Sequence, residues 1–230
     1  MRLAAAVISI VAACGRSAAP APAAKDPPGT YAGRTIAPTM SFAGAAWLDR
    51  AERETRERPD AVLDAIAITD GMVVADVGAG SGYFTLRLAR RVGTRGRVIA
   101  TDIQPEMLAM IRERAGAAGL ANVETRLVGS DDAGLDAHSI DLALLVDVYH
   151  ELADPAAVVG GIRRALRPGG RLVLVEYRAE DPDVPIKPEH EMSLAQIRRE
   201  ILPMGFRELA DLEMLPDQRV VVFTPSGSVD

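Results

Sequence analysis

The chain has 230 residues, 48% of them hydrophobic, and its 26 Lys and Arg against 32 Asp and Glu give a formal net charge of −6. That length and composition suit one globular domain with a sizeable core and exclude a low-complexity or collagen-like chain. The acidic balance, the 4% aromatic content and the lack of a basic stripe interleaved with aromatics argue against a nucleic-acid surface.

In chain order, the first segment reads MRLAAAVISIVAACGRSAAPAPAAKDPPG. Arg2 followed by the apolar run 3–13 is too short to span a bilayer and has the form of a signal-peptide core. The run ends in Val11-Ala12-Ala13-Cys14, which resembles a bacterial lipobox. The resemblance implies a signal peptide over 1–14, lipidation of Cys14, and a lipoprotein anchored on the periplasmic side of a membrane. The alternative is an uncleaved apolar tail, or a start placed too early, on a cytoplasmic protein. Cys14 is the sole cysteine, so the sequence holds no disulfide framework. Residues 15–30, rich in Ala, Pro, Gly and Ser, are expected to form a flexible tether.

Residues 31–68 are expected to form an N-terminal helical cap, because 40–68 carries a helical pattern broken at Pro59. The main domain, 69–230, alternates strand and helix. Strands are expected at 72–77, 97–102, 122–128, 139–148 and 171–177, with helices at 82–92, 105–119, 154–170 and 193–205. The runs 206–215 and 219–225 follow with only a short connection, so they must pair antiparallel. The expected architecture is α/β: a central, mostly parallel seven-stranded sheet, helices on both faces, and a C-terminal antiparallel hairpin.

The stretch VVADVGAGSGYFTLRLA (73–89) places Gly78, Gly80 and Gly82 after the first main strand. A dinucleotide fingerprint spaces its glycines G-x-G-x-x-G and seats a pyrophosphate on the helix N-terminus. Here the third glycine comes one residue early, and Asp76 stands two residues before the first. A carboxylate there repels phosphate and suits a cationic group. Asp102 follows Gly82 by twenty positions, a spacing that sets a carboxylate beside a ribose. Ser130-Asp131-Asp132 follows the third strand, where an acid can face the amine of adenine. One ligand suits all three: an adenosine without phosphate that bears a cationic amino-acid tail.

These motifs resemble those of the class I S-adenosylmethionine-dependent methyltransferases. VADVGAGSG is similar to their first motif, ATDIQPEML to their second-strand acidic motif and VGSDDAGL to their adenine-edge motif. LALLVDVYHEL and LRPGGRLVLVEY are similar to their fourth- and fifth-strand motifs. The resemblance covers about residues 60–225 and implies a Rossmann-like methyltransferase fold with S-adenosylmethionine as cofactor. Carried over, it implies that Asp76 holds the methionine amino group and that Gly78, Gly80, Ser81 and Gly82 form the cofactor turn. It also implies that Asp102 binds the ribose, Ile103 packs on adenine, Asp131 faces the adenine amine and Asp147 faces the methyl-donor end. Each of these acids has a purely structural alternative, as a cap, a solvated turn or a backbone anchor.

His150, just past the fourth strand, is the candidate catalytic base, needed only if the methyl acceptor loses a proton. Tyr149 and Glu151 adjoin it, and Glu176 and Tyr177 at the end of strand five reach the same edge. His138 and His190 lie far apart in sequence, and no metal ligand set is read from spacing. The loop 178–192 is either a lid or a solvated connector. Trp47, Arg50 and Met40 either close the pocket from above or pack. The expected partner is a small-molecule acceptor, with no nucleic acid, and with membrane contact only through Cys14. The competing reading is a non-catalytic lipoprotein that binds or senses S-adenosylmethionine.

Overall fold

The computed structural model describes residues 26–227; the signal-peptide segment, Cys14 and most of the expected tether lie outside them. Among the described residues no helix is long and apolar enough to cross a membrane.

The expected helical cap is more broken than its pattern suggests. It begins with a two-residue hairpin, β1 (Thr30–Tyr31) and β2 (Arg34–Thr35), paired antiparallel. A 3-10 helix over Phe42–Asp49 follows, opened by the Ser41 side chain, which accepts from the Ala43 N–H. Two short helices, α1 (Arg53–Arg56) and α2 (Pro59–Ala65), complete the cap. The break between them has a local cause. Arg58 precedes a proline, which disfavours the helical region, and it sits at φ 42°.

The main domain then runs β3 (Val73–Val77), α3 (Tyr83–Val92), β4 (Arg97–Asp102), α4 (Pro105–Ala117), β5 (Val123–Leu127) and β6 (Ile140–Val146). It continues with α5 (Pro155–Ala165), β7 (Leu166–Arg178), β8 (Glu191–Met192), α6 (Leu194–Ile201), β9 (Phe206–Leu212) and β10 (Gln218–Pro225). The sheet order is β5-β4-β3-β6-β7-β10-β9, with β8 a two-residue addition beside β7. Strands β5 to β7 are parallel, and β10 runs antiparallel to both β7 and β9. This is the seven-stranded doubly wound sheet with its closing hairpin, extended by one bridge.

Alternation along each strand builds two cores. In β6, Leu142 and Leu144 face α2 and α3, packing with Val62, Leu63, Phe84 and Leu88. Ala143 and Leu145 face the other way, toward Ile162 of α5 and Ile197 and Ile201 of α6. Each such aliphatic side chain removed from water stabilises the fold by ~1.5–3 kcal/mol before chain entropy is counted. In α3, Phe84, Leu88 and Val92 recur every fourth residue, so one stripe of the helix meets the sheet.

The helix expected over 154–170 stops at Ala165. Pro168 disfavours a helical Arg167, and Leu166 instead pairs with Ile140 at the start of a long β7. The strand therefore takes over the Arg-Pro-Gly-Gly segment that the pattern had assigned to a helix end.

The sheet order fixes where a ligand can sit. β4 lies on one side of β3 and β6 on the other, so the connections from β3 and from β6 leave in opposite directions. At such a reversal the loops part and leave a crevice beyond the carboxyl ends of the strands.

Candidate active site

That crevice is a single pocket walled by the ends of β3, β4, β6 and β7 and roofed by the cap. The glycine turn forms its floor. Gly78, Gly80 and Gly82 have φ of 68°, 54° and 82°, a region that side chains with a Cβ rarely enter. The N–H groups of Gly78 and Ala79 donate to the carbonyl of Thr101 at 2.8 and 3.0 Å, which ties the turn to β4. A Cβ on Gly78 would stand 2.6 and 2.7 Å from the Val148 methyl carbons, and one on Gly80 would stand 2.8 Å from Leu48 Cδ1.

Gly82 has a different task. It caps α3, and a Cβ there would meet Ile111 Cγ1 of α4 at 2.9 Å. It is not among the pocket-lining residues, so its smallness serves helix packing rather than direct contact with a ligand. Ser81 does line the pocket, with its hydroxyl donating to Asp49 Oδ1 of the cap at 3.0 Å.

Two carboxylates stand at the strand ends. Asp76, 3% exposed, accepts from the Thr85 hydroxyl at 2.5 Å. Burial pushes its carboxyl up to about 6, against the pull of the Thr85 hydroxyl. Asp102 accepts the backbone N–H of Gly80 at 2.9 Å on one oxygen and that of Gln104 at 2.9 Å on the other. Burial raises it too, opposed by these backbone donors. Each oxygen keeps a free lone pair, as a vicinal diol requires. Ile103, 42% exposed, offers an apolar face on the same wall. Beside it the Thr101 hydroxyl is buried without a partner.

Asp131 is brought into no such arrangement. The loop contributes Gly129, Ser130 and Asp132 to the pocket, while Asp131 is exposed outside it. The cause is a tight turn, in which Asp132 Oδ1 accepts from the Gly134 N–H at 2.9 Å.

At the other end, Asp147 sits at φ 53°, and both its oxygens accept from Gln218 Nε2 of β10 at 2.8 Å. Burial, then the charges of Glu57 and Glu176, push its carboxyl up to about 7. Arg53, 5% exposed, also lines the pocket and is the one arginine to do so among the described residues. Trp47 and Met40 line the pocket as well, and Trp47 carries the Arg50 guanidinium 3.5 Å from its ring centre.

His150 lies on the 3-10 turn Tyr149–Glu151 and is 2% exposed. Its Nδ1 meets Glu176 Oε2 at 2.5 Å, and Glu176 Oε1 accepts from the Tyr149 N–H at 2.9 Å. The carboxylate thus fixes the ring with Nδ1–H toward itself and Nε2 toward the pocket. Burial lowers the affinity of the imidazole for a proton, but the charge and hydrogen bond of Glu176 outweigh it and raise the pKa. Nε2 meets His190 Nδ1 at 3.0 Å. His190, which sequence spacing left apart, arrives from the turn Pro188–His190 within loop 178–192, so this loop forms a wall of the pocket.

Several contributors escape a reading of the sequence. Gln218, Arg53 and His190 reach the site only through the tertiary fold. Glu176 is legible as a strand end, but its pairing with His150 is not. The polar support behind Tyr149 is also tertiary. The Tyr149 hydroxyl donates to Glu200 at 2.7 Å, and Arg34 of β2 pairs with the same carboxylate at 2.9 Å.

This donor set fits a phosphate-free adenosyl cation: a glycine cradle that a Cβ would fill, an orphaned hydroxyl, and buried acids at the strand ends. Residues 68–202 match a family described as a methyltransferase domain. An uncharacterized methyltransferase of Mycobacterium tuberculosis is 35% identical over 136 residues, covering 59% of this chain and 52% of that protein. A ubiquinone/menaquinone biosynthesis C-methyltransferase of Idiomarina loihiensis is 28% identical over 116 residues, covering 50% of this chain and 46% of that protein. The chain thus spans about half the length, or less, of the curated relatives it matches. The structure of an S-adenosylmethionine-dependent methyltransferase from Aquifex aeolicus superposes with a TM-score of 0.76 at 26% identity, covering 80% of this chain and 98% of that one. The chain belongs to the methyltransferase-domain family, and its cofactor is S-adenosylmethionine.

Proposed function

We propose that the protein transfers the methyl group of S-adenosylmethionine to a small-molecule acceptor held at the His150 end of the pocket. The observation that carries this reading is continuity: the glycine turn with Asp76 and Asp102, and His150 backed by the buried Glu176, wall one cavity. The cofactor supplies an electrophilic methyl on a sulfonium that leaves readily.

The protein's part is to bind, orient and exclude water. Asp76 takes the cationic amino group and Arg53 the carboxylate of the methionine tail, by charge complementarity. Asp102 accepts from the ribose hydroxyls, and Ile103 covers the purine. Such positioning lowers a bimolecular barrier by up to ~7–11 kcal/mol. His150, with Nδ1 anchored on Glu176, presents Nε2 to an acceptor proton. One relative is named as a ubiquinone/menaquinone biosynthesis C-methyltransferase, which supports a small acceptor; the other is named only as an uncharacterized methyltransferase. Anchoring at Cys14 on the periplasmic side belongs to the same proposal and rests on the sequence alone.

The test is incubation of the purified full chain with methyl-labelled S-adenosylmethionine and fractionated cell metabolites, protein and RNA. Label in the small-molecule fraction is the expected result, lost in His150→Ala with cofactor affinity retained. Label confined to protein or RNA refutes the acceptor class, and cofactor binding with no transfer to any fraction favours the sensing alternative.

A further inference from the structure

The contact between His150 and His190 has a second reading, independent of the cofactor turn. His150 Nε2 and His190 Nδ1 stand 3.0 Å apart, and Glu151 Oε1 lies 4.0 Å from the same Nε2. The ligand atoms of all three side chains fall within 4.8 Å of one another. Two imidazole nitrogens bound to one zinc-like ion at ~2.0–2.1 Å, with an angle of ~90–110°, stand about 2.8–3.4 Å apart. The observed separation is within that range, and the Glu151 carboxylate, which also accepts from the Met40 N–H, must move closer to complete the set.

We propose that His150, His190 and Glu151 hold a divalent first-row transition cation of the zinc class in the acceptor half of the pocket. Three further features support it. Glu176 anchors Nδ1 of His150, the outer-sphere carboxylate–histidine arrangement that fixes a ligand ring and raises its basicity. The surroundings are rich in carboxyl groups, with Glu151 and Asp147 lining the pocket and Glu176 backing His150. The set of two imidazoles and one carboxylate leaves coordination positions open toward the cavity and selects zinc, cobalt or iron over magnesium or calcium.

This site deepens the methyltransferase reading, because it names an acceptor class: compounds with an oxygen donor able to enter an open coordination position. The two roles of His150 exclude one another, since Nε2 cannot hold a cation and receive a proton at once. The base role therefore belongs to the cation-free protein.

The test uses cobalt(II) as the probe on the tag-free full chain, followed by its visible d–d absorption, with S-adenosylmethionine titrated in parallel. The expected result is saturable binding of one equivalent in the wild type, at least tenfold weaker binding in His190→Ala, and unchanged cofactor affinity in that variant. If His190→Ala does not fold by circular dichroism, Glu151→Gln is read in its place with the same expectation. A wild type with no saturable band, or a variant that binds cobalt as the wild type does, overturns the site. Cofactor binding without a cobalt response sinks this inference alone, whereas cobalt binding without cofactor binding sinks the methyltransferase reading alone.

Discussion

Cofactor affinity is expected to fall about tenfold between pH 7 and pH 5, through Asp76. The carboxyl titrates at about 6 in the ligand-free protein, because burial disfavours its charge more than Thr85 stabilises it. Only the ionised form attracts an ammonium. The apparent dissociation constant then scales as 1 + 10^(pKa − pH), about 1.1 at pH 7, 2 at pH 6 and 11 at pH 5. The amino group of the cofactor titrates near ~8, so it stays charged across this window. Isothermal titration at each pH measures the constant, and the same experiment in buffers of different ionisation enthalpy counts protons released, close to one at pH 5. Asp76→Asn removes both the attraction and the slope. A flat profile from pH 5 to 7, or the same slope in Asp76→Asn, refutes the assignment of Asp76 to the amino group. Stability runs with the opposite sign. The folded pKa lies above the ordinary value of 3.8, so the folded state is favoured below about pH 4 and that advantage is lost as pH rises through 6. The loss is on the order of 3 kcal/mol. Ligand-free Asp76→Asn is therefore expected to be more stable than the wild type at pH 7, by denaturant titration.

Three substitutions separate ligand contact from scaffold. Gly78→Ala drives a Cβ into the stiff Val148 side chain at a left-handed φ, and cofactor affinity measured by titration is expected to drop more than ~tenfold. Gly82→Ala meets Ile111 instead and is expected to lower stability by ~1–3 kcal/mol in urea, with cofactor affinity changed less than ~threefold. Glu200→Ala leaves Arg34 and the Tyr149 hydroxyl without their shared carboxylate, and the chemical denaturation midpoint should reflect a loss of ~3–5 kcal/mol.

Local chemistry explains what was legible. Strand and helix order followed from periodicity, and the hairpin β9–β10 from a connection too short for a crossover. Asp76, Gly78, Gly80, Ser81, Asp102, Ile103, Asp147 and His150 all line the pocket, because each lies at or just beyond a parallel strand end, and the fold gathers those ends at one edge. Gly82 and Asp131 do not. Gly82 shares the motif, yet its missing Cβ accommodates Ile111; Asp131 lost its place to a turn closed by Asp132. The cap was legible as helical but not as three short pieces, since proline and a left-handed Arg58 act through backbone geometry. His190 and Gln218 were invisible because periodicity carries no information about which loops meet.

The roof of the cavity governs traffic through it. Gln104 grips the cap twice, accepting from the Phe42 N–H at 2.7 Å and donating to the Met40 carbonyl at 2.9 Å, while Arg114 and Ser81 hold Asp49. These ties of the Phe42–Asp49 segment are polar, whereas the α2 end of the cap and the sheet beneath are sealed by aliphatic packing. On the proposed function, spent cofactor would leave by parting this clasp, a local opening that costs far less than melting the sheet. Loosening the Gln104 side chain should thus quicken departure and shorten residence, while its backbone N–H still holds Asp102.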